Sequence, residues 1–166
     1  MSGIGHLAAG LVAKPAAPQV PLVILLAAGE LNEILYFAFT TAGIEKKADF
    51  SMNFSQGVKY LTVGSNPWSH GLIMSLTWSI AAGLIGYLIY RHHRPAVVIG
   101  LVVFSHWVLD FLMHSNLPLF LDGSPLLGLG LENSGPGLIF MTILDLVLVV
   151  GGIVYYLNFR KNFKNE

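Results

Sequence analysis

Cysteine is absent from the 166-residue chain. Its absence rules out disulfides, iron–sulfur clusters and thiolate zinc sites together. Any metal must be held by His, Asp, Glu or backbone oxygens, a donor set that suits zinc, manganese, iron or magnesium. Charge is scarce as well: only 11% of residues are Asp, Glu, Lys or Arg, against about 25% in soluble domains. Basic and acidic residues balance at nine each, so the chain has no electrostatic footprint for nucleic acid, and none is expected as a partner. No basic region precedes the first apolar stretch, whose first charge is Lys14. A cleaved signal peptide is therefore not expected, and the N-terminal segment should be retained.

Apolar sequence takes the place of charge. Hydrophobic residues make up 54% of the chain, and the mean hydropathy is +0.67. Residues 3–14 form a short apolar segment ending at Lys14, which at about 1.5 Å per residue covers half a bilayer. Residues 20–42, 68–90, 95–114 and 137–158 are each long enough to cross. The polar stretch 43–66 reads as a loop with an interfacial helix carrying Phe50, Phe54 and Tyr60. Residues 115–136, rich in Gly, Pro, Asn and Ser, read as a second loop. The expectation is an all-α membrane protein, with about four transmembrane helices plus a short N-terminal half-helix in a single domain over 1–166.

Four spans place Lys14, Arg91, Arg94, Arg160, Lys161 and Lys164 on one side and Lys46, Lys47 and Lys59 on the other. The excess of basic residues predicts that RHHR (91–94) and the C-terminus are cytoplasmic. In that orientation the intramembrane acids and histidines fall in the outer half of the bilayer.

The most unusual stretch is FSHWVLDFLMHS, residues 104–115. His106, Asp110 and His114 recur every four residues, which puts them on one stripe of one helix. Ionisable groups in a membrane helix are expensive and usually have a use. His-x-x-x-Asp suits metal binding because both ligands face one point; the bland reading is a hydrogen-bonded seam between helices. Glu30 and Glu33 are i,i+3 neighbours predicted to point the same way, where two carboxylates in low dielectric need a cation or a shared proton. Asp145 is a lone acid in the fourth span. His92 and His93, set among charges, read as headgroup anchors, and the loop acids Asp122 and Glu132 as solvated.

The order of these pieces resembles one family, the LexA-binding, inner-membrane-bound metal-dependent hydrolases. The matching residues are Gly5 and His6, Gly29 to Asn32, Trp68 to His70, and Ser105 to Asp110, which reads Ser-His-x-x-Leu-Asp. They span most of residues 5–115. Where the family shows Pro-Asp-x-Asp, this chain has Gly-Glu-Leu-Asn, with Glu30 and Asn32 replacing the two acids. A fainter similarity to all-helical zinc phospholipases C suggests phosphoester chemistry.

The family resemblance implies a bacterial inner-membrane protein that hydrolyses a lipid or other amphiphilic ester or phosphoester. It implies a divalent metal, zinc first and manganese or iron next. His106, Asp110, His70 and Glu30 would be ligands, with His6 and His114 as the fifth and sixth candidates. Glu33 would serve as general base, and Asp145 would orient a ligand histidine. Two other classes stay open: an ion or proton carrier using the same cluster, which with four spans requires a homo-oligomer, and a metal-stapled structural protein.

Overall fold

The computed structural model describes residues 4–47, 49–62 and 66–163. It is mostly helical. Helix α1 (Leu7–Ala13) is followed by α2 (Leu22–Gly29) and α3 (Leu31–Thr41), then a hairpin of β1 (Asp49–Asn53) and β2 (Gly57–Thr62). After the single turn α4 (Pro67–His70) come the long α5 (Leu72–Tyr90) and α6 (His93–Met113). A two-residue ladder, β3 (Leu117–Pro118) with β4 (Leu126–Leu127), precedes α7 (Gly135–Phe163).

Three helices, α5, α6 and α7, are long and apolar enough to cross a membrane, and the bent pair α2–α3 makes a fourth if it counts as one span. Their outer faces are apolar: Ile80, Leu84 and Leu88 on α5, Leu101 and Val108 on α6, and Leu146, Val150 and Val154 on α7 are exposed. Only 11% of the α5 span is buried within the chain. An exposed apolar surface of this extent is what a bilayer covers.

Small residues let the helices approach closely. Helices α5 and α6 are joined by Arg91 and His92 alone, with Arg91 in the left-handed region at φ 57°. The Ser79 hydroxyl donates to the Gly100 carbonyl at 2.6 Å across this pair. Helix α1 lies on α2 so tightly that a Cβ on Gly10 would stand 2.6 Å from the Leu25 carbonyl oxygen. Lys14 then closes the turn into α2 through the carbonyls of Pro18 and Val20. Ala17, Val20, Leu25, Ala28, Ile99, Val102 and Val103 form the apolar core below these contacts.

Several expectations need correction. The span 20–42 is not one helix; it breaks at Glu30, and its halves bend by 58°. Glu30 and Glu33 therefore do not share a helical face by i,i+3 spacing. The stretch 43–66 carries an antiparallel hairpin in place of an interfacial helix. Phe54 sits in its turn and Gly57 takes φ 92°, which a tight reversal demands. The chain is thus not purely helical. His70 ends its own short turn before the extended Gly71 and does not belong to the span proper. Helix α6 stops at Met113, leaving His114 extended beyond the stripe. Helix α7 runs past the expected 158 to Phe163, while Lys164 lies outside the described residues.

The tight α1–α2 approach is testable. Gly10→Leu should cost about 1–3 kcal/mol through overpacking and lower the melting temperature in detergent by several degrees. Gly151→Leu, where no atom lies within 4 Å of an added Cβ, should melt like the wild type. Equal melting of the two variants would count against this packing.

Candidate metal centre

Among the described residues the buried polar groups gather round the Asp110 carboxylate, which α6 places one turn after His106. His106 Nε2 lies 3.3 Å and His70 Nε2 3.5 Å from Asp110 Oδ2. His6 Nε2 lies 3.4 Å and His114 Nε2 3.6 Å from Oδ1. The Glu33 Oε1 atom is 3.9 Å from His70 Nε2 and 4.0 Å from His106 Nε2. Six side chains, from α3, α4, α6 and the residues flanking α1 and α6, thus meet at one point.

The opposite ring nitrogens are anchored, and the anchors decide which nitrogen faces the centre. His106 Nδ1 donates to the Gly29 carbonyl at 2.8 Å, an acceptor exposed by the break after α2. His114 Nδ1 contacts Glu132 Oε1 at 2.7 Å, and Glu132 is buried in the 3₁₀ turn Leu131–Asn133. His70 Nδ1 contacts the Ser69 hydroxyl at 2.8 Å, and that hydroxyl donates to Glu45 Oε2 at 2.7 Å. The hydroxyl proton being committed, His70 Nδ1 is the donor to Ser69. All three rings are therefore held at Nδ1 and turn Nε2 towards Asp110. Nitrogens at 3.3–3.6 Å from a carboxylate oxygen are too distant for strong hydrogen bonds. They are placed to share a cation.

Burial sharpens the point. His6 is 1% exposed, stacked on the His106 ring at 3.6 Å, and neither of its nitrogens has a hydrogen-bond partner. The His106 Nε2 and Glu30 Oε1 atoms are in the same condition. The ligand atoms of His70, His106 and Asp110 lie within 4.8 Å of one another, as do those of His6, Glu33 and His106. These groups can hold a metal ion, and their nitrogen and oxygen donors fit a divalent one.

Glu30 sits at the α2–α3 break within electrostatic reach of His106, Glu33 and Asp110, one step back from the imidazoles. Asn32 is turned away to Ser75 on α5, where its amide donates to the hydroxyl at 2.9 Å. Asp145 is buried on α7 and lines a cavity of about 570 Å³ with Glu33, His70, His114 and Glu132. Met52, Phe54 and Val58 of the hairpin and Leu117, Pro118 and Leu138 form the apolar part of its wall, and Lys47 joins the lining. His92, His93 and Asp122 are exposed.

Sequence reasoning missed two carboxylates. Glu132, expected to be solvated, is 2% exposed and anchors His114. Glu45 is buried beneath α4, accepting from the Trp68 and Ser69 N–H groups and the Ser69 hydroxyl. Burial pushes its carboxyl above the ordinary value, while these hydrogen bonds hold it down.

No family model matches the chain, nor does any curated protein or solved structure.

If Ser69 orients His70, Ser69→Ala should weaken metal affinity by roughly 10–100-fold, the usual effect of losing such a partner. The change should leave the helical circular dichroism intact. Titration with zinc or manganese in detergent measures it, and an unchanged affinity would remove Ser69 from the centre.

Proposed function

We propose that the chain is an integral membrane hydrolase that uses a divalent metal to cleave a lipid or amphiphilic ester or phosphoester in the outer half of the bilayer. The observation that carries this reading is the convergence of imidazole lone pairs on Asp110, at the edge of a cavity with an apolar wall. The family resemblance of Ser105 to Asp110 and the earlier motifs supports the same class, with zinc as the first choice of ion. Four spans, counting α2–α3 as one, and cytoplasmic RHHR and C-terminal ends complete the proposed arrangement in a bacterial inner membrane.

His70, His106 and Asp110 would hold the ion, with His6 and His114 beside them. A divalent ion bound there supplies a water acidified towards neutrality and a polarised substrate oxygen. Glu33, 39% exposed at its side chain and close to two ligand nitrogens, is placed to take that water's proton. The apolar residues of the hairpin and of β3 receive the tail of an amphiphile, and Lys47 offers a cation to its headgroup. Asp145 and Glu132 bound the polar side, where Glu132 keeps His114 in its tautomer.

Conduction of ions or protons is the competing use of such a cluster. Along α6 the buried residues between the RHHR turn and His106 are Pro95, Ile99, Gly100, Val102 and Val103. An apolar plug of this kind favours a one-sided site over a path across the membrane.

Metal content of the detergent-purified protein is the deciding measurement. The wild type should retain zinc or manganese near stoichiometrically, while His106→Ala and Asp110→Ala should lose it. Hydrolysis of phosphoester and carboxyl-ester lipids should then fall by at least 100-fold in Glu33→Gln, with metal retained. A wild type that binds no metal even after reconstitution would defeat the proposal, and flux in liposomes would become the relevant assay.

A further inference from the structure

The split of the four imidazoles between the two oxygens of Asp110 says more than that a metal binds. This step rests on the metal-dependent reading above. Two ligand atoms, each about 2.1 Å from one tetrahedral ion, stand about 3.4 Å apart. The four Nε2-to-oxygen separations are 3.3 and 3.5 Å at Oδ2 and 3.4 and 3.6 Å at Oδ1. Each therefore matches a pair of ligands on a common ion, and they divide two to each oxygen. We infer that Asp110 is a bridging carboxylate between two divalent cation positions. One is held by His70, His106 and Oδ2, the other by His6, His114 and Oδ1.

The second position has its own supports. His114 lies beyond the end of α6, in extended backbone, and is aimed by Glu132 from a different segment. Its Nδ1 contacts Glu132 at 2.7 Å, which turns Nε2 towards Oδ1 at 3.6 Å, the separation of two ligands on one ion. His6 approaches the same oxygen from α1, buried and with both ring nitrogens lacking a hydrogen-bond partner. Burial penalises that state strongly, and coordination at Nε2 relieves it at one of the two nitrogens. A carboxylate bridge holds ions about 3.5–4 Å apart, the spacing at which paired ions clamp the attacking and leaving oxygens of a phosphoester.

Metal stoichiometry of the full chain in detergent, equilibrated with saturating manganese and freed of excess ion, tests this. About two ions per chain are expected. The electron paramagnetic resonance spectrum should show two exchange-coupled Mn(II) ions. His114→Ala should fall to about one ion and lose the coupling, and His70→Ala should do the same from the other side. One uncoupled ion in the wild type overturns the bridge and leaves the metal-hydrolase reading standing, whereas no ion overturns both. Should the alanine variants fail to fold by circular dichroism, wild-type stoichiometry and coupling decide the matter alone.

Discussion

A carboxylate at 1% exposure, faced by four imidazole nitrogens at 3.3–3.6 Å, is not a stable arrangement by itself, and the rest of the fold is built around that constraint. Burying an ionised carboxylate without compensation is expensive, so the groups that face it must be held in place. What keeps them turned inward is a set of anchors on the far side of each ring, supplied by separate parts of the chain. The Gly29 carbonyl comes from the α2–α3 break, the Ser69–Glu45 pair from α4 and the segment before the hairpin, and Glu132 from the turn before α7. Asp110 thereby ties together segments that have few other reasons to meet. In the proposed enzyme the cation supplies the missing compensation, so metal binding and stability of this end of the bundle are linked.

Apart from Glu33, His106 and Asp110, the site residues sit where helices stop. His6 precedes α1, Glu30 separates α2 from α3, His70 closes α4 before Gly71, and His114 follows α6. Each interruption frees backbone carbonyls or N–H groups beside an apolar shell. Such irregular backbone is tolerated only where protein or a polar cavity takes up its hydrogen bonds. Gly29 shows the exchange directly: its carbonyl accepts from His106 Nδ1, and its missing Cβ lets the His6 backbone approach, since a Cβ there would lie 2.7 Å from the His6 carbonyl oxygen. The broken helices are thus the device that brings nitrogen and oxygen ligands to one point inside an apolar shell.

How much of this could be read from residues alone follows from the range of the interactions. The His106–Asp110 pair was legible because helical periodicity fixes side chains four apart, and apolar length foretold α5, α6 and α7. His114 belonged to the same spacing yet reaches Asp110 from beyond the helix end, so the pattern named it while missing its backbone. The α2–α3 break was hidden because Gly-Glu in an apolar run is compatible with helix, and tertiary contacts of Gly29 decide the outcome. The hairpin carried the alternation Phe50, Met52 and Val58, Tyr60 about a Gly-ended turn, a strand signal that the polar composition obscured. Glu45 and Glu132 were beyond reach: their burial depends on long-range folding of loops, which no local pattern encodes.

The cavity's charge gives the proposed chemistry its order of events. Its polar wall is acidic, with Glu33, Glu132 and Asp145 in the lining and Asp110 just behind, against Lys47 as the basic residue of the lining. Such a wall repels a phosphoester or a carboxylate headgroup. A divalent ion at Asp110 reverses the local sign, as bound cations do where they are the largest charge in a site. The apolar wall, by contrast, can receive a tail whether or not metal is present. Recognition of the two ends of an amphiphile is then separable: the tail is held by the fold, while the headgroup is admitted only by the loaded centre. On the proposed function, this dependence would let a site so rich in acids act on an anionic substrate.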